Sequence, residues 1–242
     1  MNLTIDIGNT RSKIAIIQQN EIIETITENE LSVTVINKIF SKYSEIKSVI
    51  LSTVKDVNPE IISFLKSKSN YFIDLNKDTP IPIENLYKTK LTLGKDRLAA
   101  IIGANNIFSN TSVLVIDMGT AITFDFINNK NQYLGGTISP GMEMRFKALN
   151  KFTGKLPLLN KNEDYNIIAE TTASAIISGV QNGIIFETDS YINELKEQYE
   201  DLKVILTGGD AIFFDKKLKN TIFVNLNLNF IGLNRILEYN IL

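Results

Sequence analysis

The stretch Leu3-Thr4-Ile5-Asp6-Ile7-Gly8-Asn9-Thr10 decides the fold, because a matching stretch begins at residue 114: Leu114-Val115-Ile116-Asp117-Met118-Gly119-Thr120-Ala121. In both copies, alternating apolar residues predict a strand that ends near an aspartate. The glycine that follows predicts a tight turn into a second strand. A repeat at this distance predicts two related lobes, which we assign to residues 1–111 and 112–242.

Hydrophobic periodicity extends this reading along both lobes. In the first lobe it predicts strands over residues 1–7, 14–17, 22–26 and 48–52, helices over 31–43, 59–67 and 95–108, and a loop over 76–92. In the second lobe it predicts strands over 113–116, 122–127, 133–138, 204–207 and 221–224, and helices from 140, over 172–199, near 211 and from 229. The fold class is therefore α/β.

The composition limits which side chains can take part in catalysis. The chain has 242 residues, and it contains neither histidine nor cysteine. Disulfides, thiolate nucleophiles and Ser-His-Asp schemes are excluded, so acid-base chemistry must use carboxylates, lysine or tyrosine. A net charge of -2 without basic blocks predicts no nucleic-acid partner. The start of the chain does not resemble a signal peptide and the longest uncharged run is rich in polar residues, so we expect a cytoplasmic protein without a membrane span.

Each repeated turn has the composition of a phosphate-binding turn. A glycine after the strand lets successive backbone N–H groups face outward. Asn9, Thr10 and Thr120 add hydrogen-bonding side chains, and Asp6 and Asp117 could hold a cation against phosphate oxygens. Either hairpin alone could be an ordinary Asp-x-Gly turn. The matched pair favours polyphosphate binding.

A second candidate site opens the helix predicted over residues 95–108, in the stretch Gly94-Lys95-Asp96-Arg97. Arginine is rare in this chain, and its planar fork suits a carboxylate or a phosphate. One interpretation makes Asp96 a base and Arg97 an anion clamp. The alternative makes Asp96 a first-turn acid and Arg97 a member of a surface ion pair.

Two further glycine-rich stretches, residues 135–141 and 207–211, lie at predicted strand-to-helix junctions where a backbone can approach a ligand. Each is a weak signal alone, and neither has the spacing of a Walker loop or a dinucleotide fingerprint. The long helix over 172–199 carries an apolar stripe that is typical of a core or a dimer seam.

Together these motifs resemble, in order, those of type III pantothenate kinases. The resemblance rests on the stretches at residues 6–10, 94–97, 117–121, 135–141 and 207–211. It implies an actin-like ATPase fold of two ribonuclease-H-like lobes with mixed five-stranded sheets flanked by helices. It also implies the phosphorylation of pantothenate by ATP with Mg²⁺, the first step of coenzyme A biosynthesis, in a homodimer.

The same resemblance assigns roles to individual residues. It implies ATP-binding roles for Asp6, Ile7, Gly8, Asn9, Thr10, Arg11, Ser12, Lys13 and Thr120. It implies pantothenate-binding roles for Tyr87, Gly94, Lys95, Asp96, Arg97 and Thr172, the last reaching across the dimer interface. Asp96 takes the place of the catalytic proton acceptor, and Asp117 that of the carboxylate beside a monovalent cation, K⁺ or NH₄⁺. The proline that often precedes the glycine turn in this family is absent from residues 88–93.

Two other functions fit the same sequence. One is another small-molecule kinase of the superfamily, which a substrate panel would separate. The other is a non-catalytic nucleotide-binding regulatory protein, which would release no ADP in response to pantothenate.

Overall fold

The structure is a computed structural model, and it describes residues 1–8 and 11–241. Its strands are β1 (Asn2–Ile7), β2 (Ser12–Gln18), β3 (Glu21–Glu28), β4 (Ser48–Thr53), β5 (Tyr71–Asp74), β6 (Glu84–Asn85), β7 (Val113–Met118), β8 (Ala121–Ile127), β9 (Gln132–Pro140), β10 (Lys203–Thr207) and β11 (Phe223–Val224). Its helices are α1 (Val33–Lys42), α2 (Pro59–Lys68), α3 (Lys95–Ile107), α4 (Met142–Lys151), α5 (Thr172–Gln198), α6 (Ala211–Asp215) and α7 (Leu228–Ile241). A 3-10 turn covers Lys90–Thr92.

The chain divides into two compact units. The first contains residues 1–109, 131–134 and 227–242, and the second contains residues 110–130 and 135–226. This grouping places α7 with the first unit, whereas the sequence-based division put residues 112–242 in one lobe. The division into lobes at residues 111 and 112 stays a prediction.

The first unit is built on a sheet with the strand order β3-β2-β1-β4-β5. β1 runs antiparallel to β2 and parallel to β4, so that Asp6 lies opposite Lys13 on one side and Ser52 on the other. Because side chains alternate along a strand, Ile5 and Ile7 enter the apolar core beneath α1 and α2, while Asp6 projects from the other face.

The second unit repeats this arrangement. The sheet order β11-β10-β7-β8-β9 is that of the first sheet with β7 in the place of β1 and β10 in the place of β4. β7 runs antiparallel to β8 and parallel to β10, so that Asp117 lies opposite Thr123 and Thr207. The duplicated acidic hairpins therefore occupy equivalent positions in two sheets of the same topology.

The sheet that contains β7 differs from the expected five strands because β6 joins its edge next to β9. Glu84 and Asn85 pair with the first residues of β9, all within the first unit, and the Leu86 amide donates to the Tyr133 carbonyl at 3.0 Å. β6 lies in the stretch predicted as a loop. A two-residue strand just after two prolines has no alternating pattern that sequence could reveal.

Helices α3 and α7 pack closely in the first unit. A Cβ built on Gly232 would collide with the Ala99 carbonyl and lie 2.9 Å from the Gly103 nitrogen, and a Cβ on Gly103 would collide with the Leu228 carbonyl. The two backbones are therefore in direct contact, which a side chain at either glycine would prevent. This contact fixes the two helices relative to each other.

The structure confirms the predicted α/β class and nearly all predicted elements. Pro59 begins α2 beside the Asn58 cap, and Thr171 caps α5 by a capping box with Ser174, as expected of helix starts. β5, a short strand at the sheet edge, was missed. Among the described helices, none is long and apolar enough to cross a bilayer.

Candidate active site

The first hairpin brings a half-buried carboxylate to the end of β1. The Ser52 hydroxyl donates to Asp6 Oδ1 at 3.1 Å, and the Asn229 side-chain amide also donates to this carboxylate. Lys13 is exposed opposite Asp6 in the hairpin register. The turn between the strands is closed by the Gly8 amide, which donates to the Arg11 carbonyl at 3.0 Å.

The other predicted ATP-binding residues of this hairpin divide into three groups. Arg11 is exposed beside the turn, whereas Ile7 and Ser12 are buried opposite each other in the register, on the sheet face away from Asp6. The side chains of Ile7 and Ser12 therefore do not face the side of the sheet on which Asp6 lies. Asn9 and Thr10 lie outside the described residues.

The electrostatics of Asp6 link the hairpin to α3. Burial raises the pKa of Asp6 above its ordinary value, and the nearby negative charge of Asp96 raises this pKa further. The hydrogen bonds from Ser52 and Asn229 and the charge of Lys13 act in the opposite direction. Two aspartates that the sequence singled out 90 positions apart therefore belong to one cluster in the first unit.

The first turn of α3 holds the four residues of the stretch from Gly94 to Arg97. Asp96 is exposed, and its Oδ1 accepts a hydrogen bond from the Arg97 amide at 2.8 Å. A Cβ built on Gly94 would collide with this same Oδ1, so the glycine leaves the space that the carboxylate occupies. Lys95 is half-buried beside them. Asp96 is thus a first-turn acid whose charged group remains accessible.

Tyr87 joins the cluster through Arg97. The Arg97 side chain is buried, and its guanidinium carbon lies 5.5 Å from the centre of the Tyr87 ring. The Tyr87 ring is in turn stacked on Tyr133. The structure therefore brings together the predicted residues Asp6, Lys13, Asp96, Arg97 and Tyr87 within the first unit.

In the second unit, the three glycine-rich stretches meet around the second hairpin. The Gly141 amide donates to the Thr120 carbonyl at 3.0 Å, and the Asp210 amide donates to the Met118 carbonyl at 3.0 Å. Gly208 has a φ of 94°, and a Cβ on it would collide with the carboxylate of Asp117. A left-handed residue pressed against a carboxylate requires glycine, which explains this position of the stretch at residues 207–211.

The other predicted site residues of the second unit lie in different elements. Asp117 is half-buried at the end of β7, and Thr120 is exposed in the following turn. Thr172 is exposed at the first turn of α5, where it lines a mainly apolar cavity of about 720 Å³ between α4 and α5. Arg145 lines the same cavity.

Sequence reasoning missed three residues of the first-unit cluster. Ser52 could have been found, since parallel strands end at the same edge of a sheet and β4 is the neighbour of β1. Asn229 and Tyr133 carry no such signal, because they reach the cluster only through tertiary packing.

The donor set suits a hard divalent cation. Among the described residues, no three metal-ligating side chains of Asp, Glu, His or Cys come together. Mg²⁺ typically needs only one or two carboxylates, with water and substrate phosphates completing its shell. Asp6 supplies one such carboxylate, and Asp96 supplies a second whose charge acts on the pKa of Asp6.

Comparison with known proteins identifies relatives over the full length. The family model described as type III pantothenate kinase matches residues 2–194. A type III pantothenate kinase of Phocaeicola vulgatus is 45% identical over 240 residues, covering 99% of each chain. One from Bacteroides fragilis is 42% identical, covering 99% of this chain and 98% of the relative.

Solved structures share the fold. A protein from Campylobacter jejuni, described as a Baf family transcriptional activator, superposes with a TM-score of 0.60 at 23% identity over 98% of both chains. An inorganic polyphosphate/ATP-glucomannokinase from Arthrobacter gives a TM-score of 0.50 at 15% identity, covering 99% of this chain and 98% of that one. These likenesses, with the repeated sheet topology, identify the actin-like fold of the sugar kinases.

Proposed function

Since this chain belongs to the type III pantothenate kinase family, we propose that it transfers a phosphoryl group from ATP to pantothenate, giving 4'-phosphopantothenate in the first step of coenzyme A biosynthesis. The observation that carries the assignment of the site is that the charge of Asp96 acts on Asp6 and raises the pKa of that carboxyl. It joins the candidate phosphate hairpin to the candidate base in one cluster.

Asp96 is the proton acceptor in this proposal. Its carboxylate is exposed, and it is oriented by the amide of Arg97 and by the space at Gly94. Phosphoryl transfer passes through a loose transition state with little covalent work for the protein, so a positioned carboxylate that accepts the hydroxyl proton late is sufficient. Most of the acceleration comes from placing the two substrates in line.

The ATP phosphates are held by the hairpin over residues 6–13. The exposed Lys13 supplies positive charge and hydrogen-bond donors. Asp6, with Asp96 nearby, is suited to hold Mg²⁺, which when bound neutralises phosphate charge. Thr120 supplies the corresponding hydroxyl of the second hairpin.

Pantothenate is held by the first turn of α3 and its neighbours in this proposal. Its carboxylate is assigned to Arg97, whose planar fork can donate two parallel hydrogen bonds. Gly94, Lys95 and Tyr87 line the remainder of this pocket. Asp117 is assigned to a monovalent cation, K⁺ or NH₄⁺.

We assign the outer face of α4 and α5 to a homodimer contact. Phe152, Ile167, Ile168 and Phe186 are at least half exposed on the second unit, and such a large apolar surface is typical of an interaction site. Thr172, the exposed first residue of α5, is assigned to the partner's substrate pocket. A cytoplasmic location remains part of the proposal. Light scattering of the purified chain tests the pairing.

One coupled assay tests the activity and the role of Asp96. Purified protein with ATP, Mg²⁺ and K⁺ should release ADP only when pantothenate is added. Asp96→Asn should keep its fold and its ATP affinity but lose about 100-fold or more in kcat, the range of general-base catalysis. Asp78→Asn, at an exposed loop carboxylate paired with Lys77, is the matched control. Near-normal turnover of Asp96→Asn would remove this residue from its role.

A further inference from the structure

We infer that Tyr133 is a positioning residue of this kinase: it supports the Tyr87 ring, and the two stacked rings orient the guanidinium of Arg97 toward the substrate anion. The inference rests on the proposed function, because it assumes that Arg97 binds pantothenate. It adds a residue from a distant part of the chain that no motif of the family resemblance contains.

The stacking geometry is well defined. The ring centroids of Tyr87 and Tyr133 lie 5.9 Å apart with an interplanar angle of 12°. The guanidinium carbon of Arg97 lies 5.5 Å from the Tyr87 centroid. Both distances are within the ranges for aromatic stacking and for cation–π attraction. The three groups therefore interact in series, with Tyr87 in the middle.

Burial makes these contacts strong. Tyr133 is 0% exposed and Arg97 is 7% exposed, whereas Tyr87 is half-buried. A cation–π contact strengthens when the cation is removed from water. A buried ring that cannot move also limits the positions of the ring stacked on it. Tyr133 is thus the fixed end of the stack.

Backbone contacts hold both rings in register. Asn85 and Tyr133 face each other across the β6–β9 pair, and the Leu86 amide donates to the Tyr133 carbonyl. The Tyr87 amide donates to Asn85 Oδ1 at 3.0 Å. These bonds hold β6 beside β9. β6 in turn places Tyr87 between β9 and α3, the helix that carries Arg97.

Helix α3 is tied to the same strand. Asn105 Nδ2 donates to Asn131 Oδ1 at 2.7 Å, and the carbonyl of Asn131 accepts the amide of Glu84 at 2.9 Å. Asn131, the residue before β9, therefore contacts both β6, which leads into Tyr87, and α3, which carries Arg97. The stack of Tyr133 and Tyr87 therefore has rigid support, which precise orientation of the Arg97 side chain requires.

Steady-state kinetics with each substrate varied in turn tests the inference. Tyr133→Leu removes the ring, and the KM for pantothenate should rise about tenfold while the KM for ATP stays within twofold. Tyr133→Phe keeps the ring and should recover most of that loss. Tyr71→Leu is the matched control, because Tyr71 lies in the same unit but outside the stack, with its hydroxyl donating to the Asn240 carbonyl. It should leave both KM values unchanged.

A double-mutant cycle tests whether Tyr133 affects pantothenate binding through Arg97. In an Arg97→Leu background, Tyr133→Leu should add less than twofold, because the cation that the rings orient is already gone. Fully additive effects, or equal rises in the KM values of both substrates, would show that Tyr133 acts only through the general fold. If Tyr133→Leu does not fold, Tyr133→Met carries the same test, because the flexible methionine side chain fills more of the space that the ring leaves.

Failure of the inference is distinguishable from failure of the proposed function. If the unmodified protein releases no ADP with pantothenate, the proposed function is wrong. If it does release ADP and Tyr133→Leu keeps the original KM for pantothenate, only the inference is wrong.

Discussion

Replacing Gly232 by alanine should destabilise the first unit. The added methyl group would overlap the Ala99 carbonyl and approach the Gly103 nitrogen to 2.9 Å, so α3 and α7 must separate. Overpacking of this kind costs about 1–3 kcal/mol, and we expect the upper end because the obstacle is backbone. Alanine recovers about 1 kcal/mol of helix propensity. The net loss is about 2 kcal/mol, which lowers Tm by about 4–8 °C in a chain of this size.

Thermal and urea unfolding followed by far-ultraviolet circular dichroism measures this loss. Gly179→Ala is the matched control, since Gly179 also lies inside a helix but nothing lies within 4 Å of an added Cβ there. It should gain about 0.5–1 kcal/mol. Because Gly179 lies near the proposed dimer face, the oligomeric state of both variants is compared first. An unchanged or higher Tm for Gly232→Ala would refute the close contact of α3 with α7.

Three further changes probe the site directly. Gly94→Ala should lower kcat while leaving Tm nearly unchanged, because the new methyl group displaces only the flexible carboxylate of Asp96; a melting curve and a rate are enough to check this. Asp6→Asn should raise stability at neutral pH, since the folded state holds the Asp6 proton more tightly than the unfolded state and the charged form therefore costs stability above the raised pKa. That gain should shrink as pH falls through the raised pKa and should be gone below the ordinary pKa of aspartate, and a gain that grows in acid would contradict the assigned shift. Asp117→Asn should abolish the activation by K⁺ or NH₄⁺ that we expect of the unmodified enzyme, and full speed in sodium alone would count against the cation site.

Local sequence was sufficient to predict the hairpins and most elements. The alternation from Leu3 to Ile7 and its repeat from Leu114 specify two strand–turn–strand units, because apolar side chains on one face must be buried. The glycine after each aspartate marks the turn. The helix starts at Pro59 and Thr171 were predictable from capping chemistry, which acts within a few residues.

The rest of the site depends on contacts between distant segments. Asn229 reaches Asp6 because α7 returns to the first unit, and Tyr133 reaches Tyr87 through a two-residue strand. No periodic pattern in the sequence predicts either contact. Composition correctly pointed to carboxylates, yet the electrostatic interaction between Asp6 and Asp96 follows only from the tertiary fold of the first unit.

The two hairpins differ at the position across from the aspartate. Asp6 is paired in register with a lysine, whereas Asp117 is paired with Thr123. In both copies the parallel neighbour contributes a hydroxyl, from Ser52 and Thr207. The same hairpin scaffold therefore carries a positive charge across from its aspartate in one unit and none in the other.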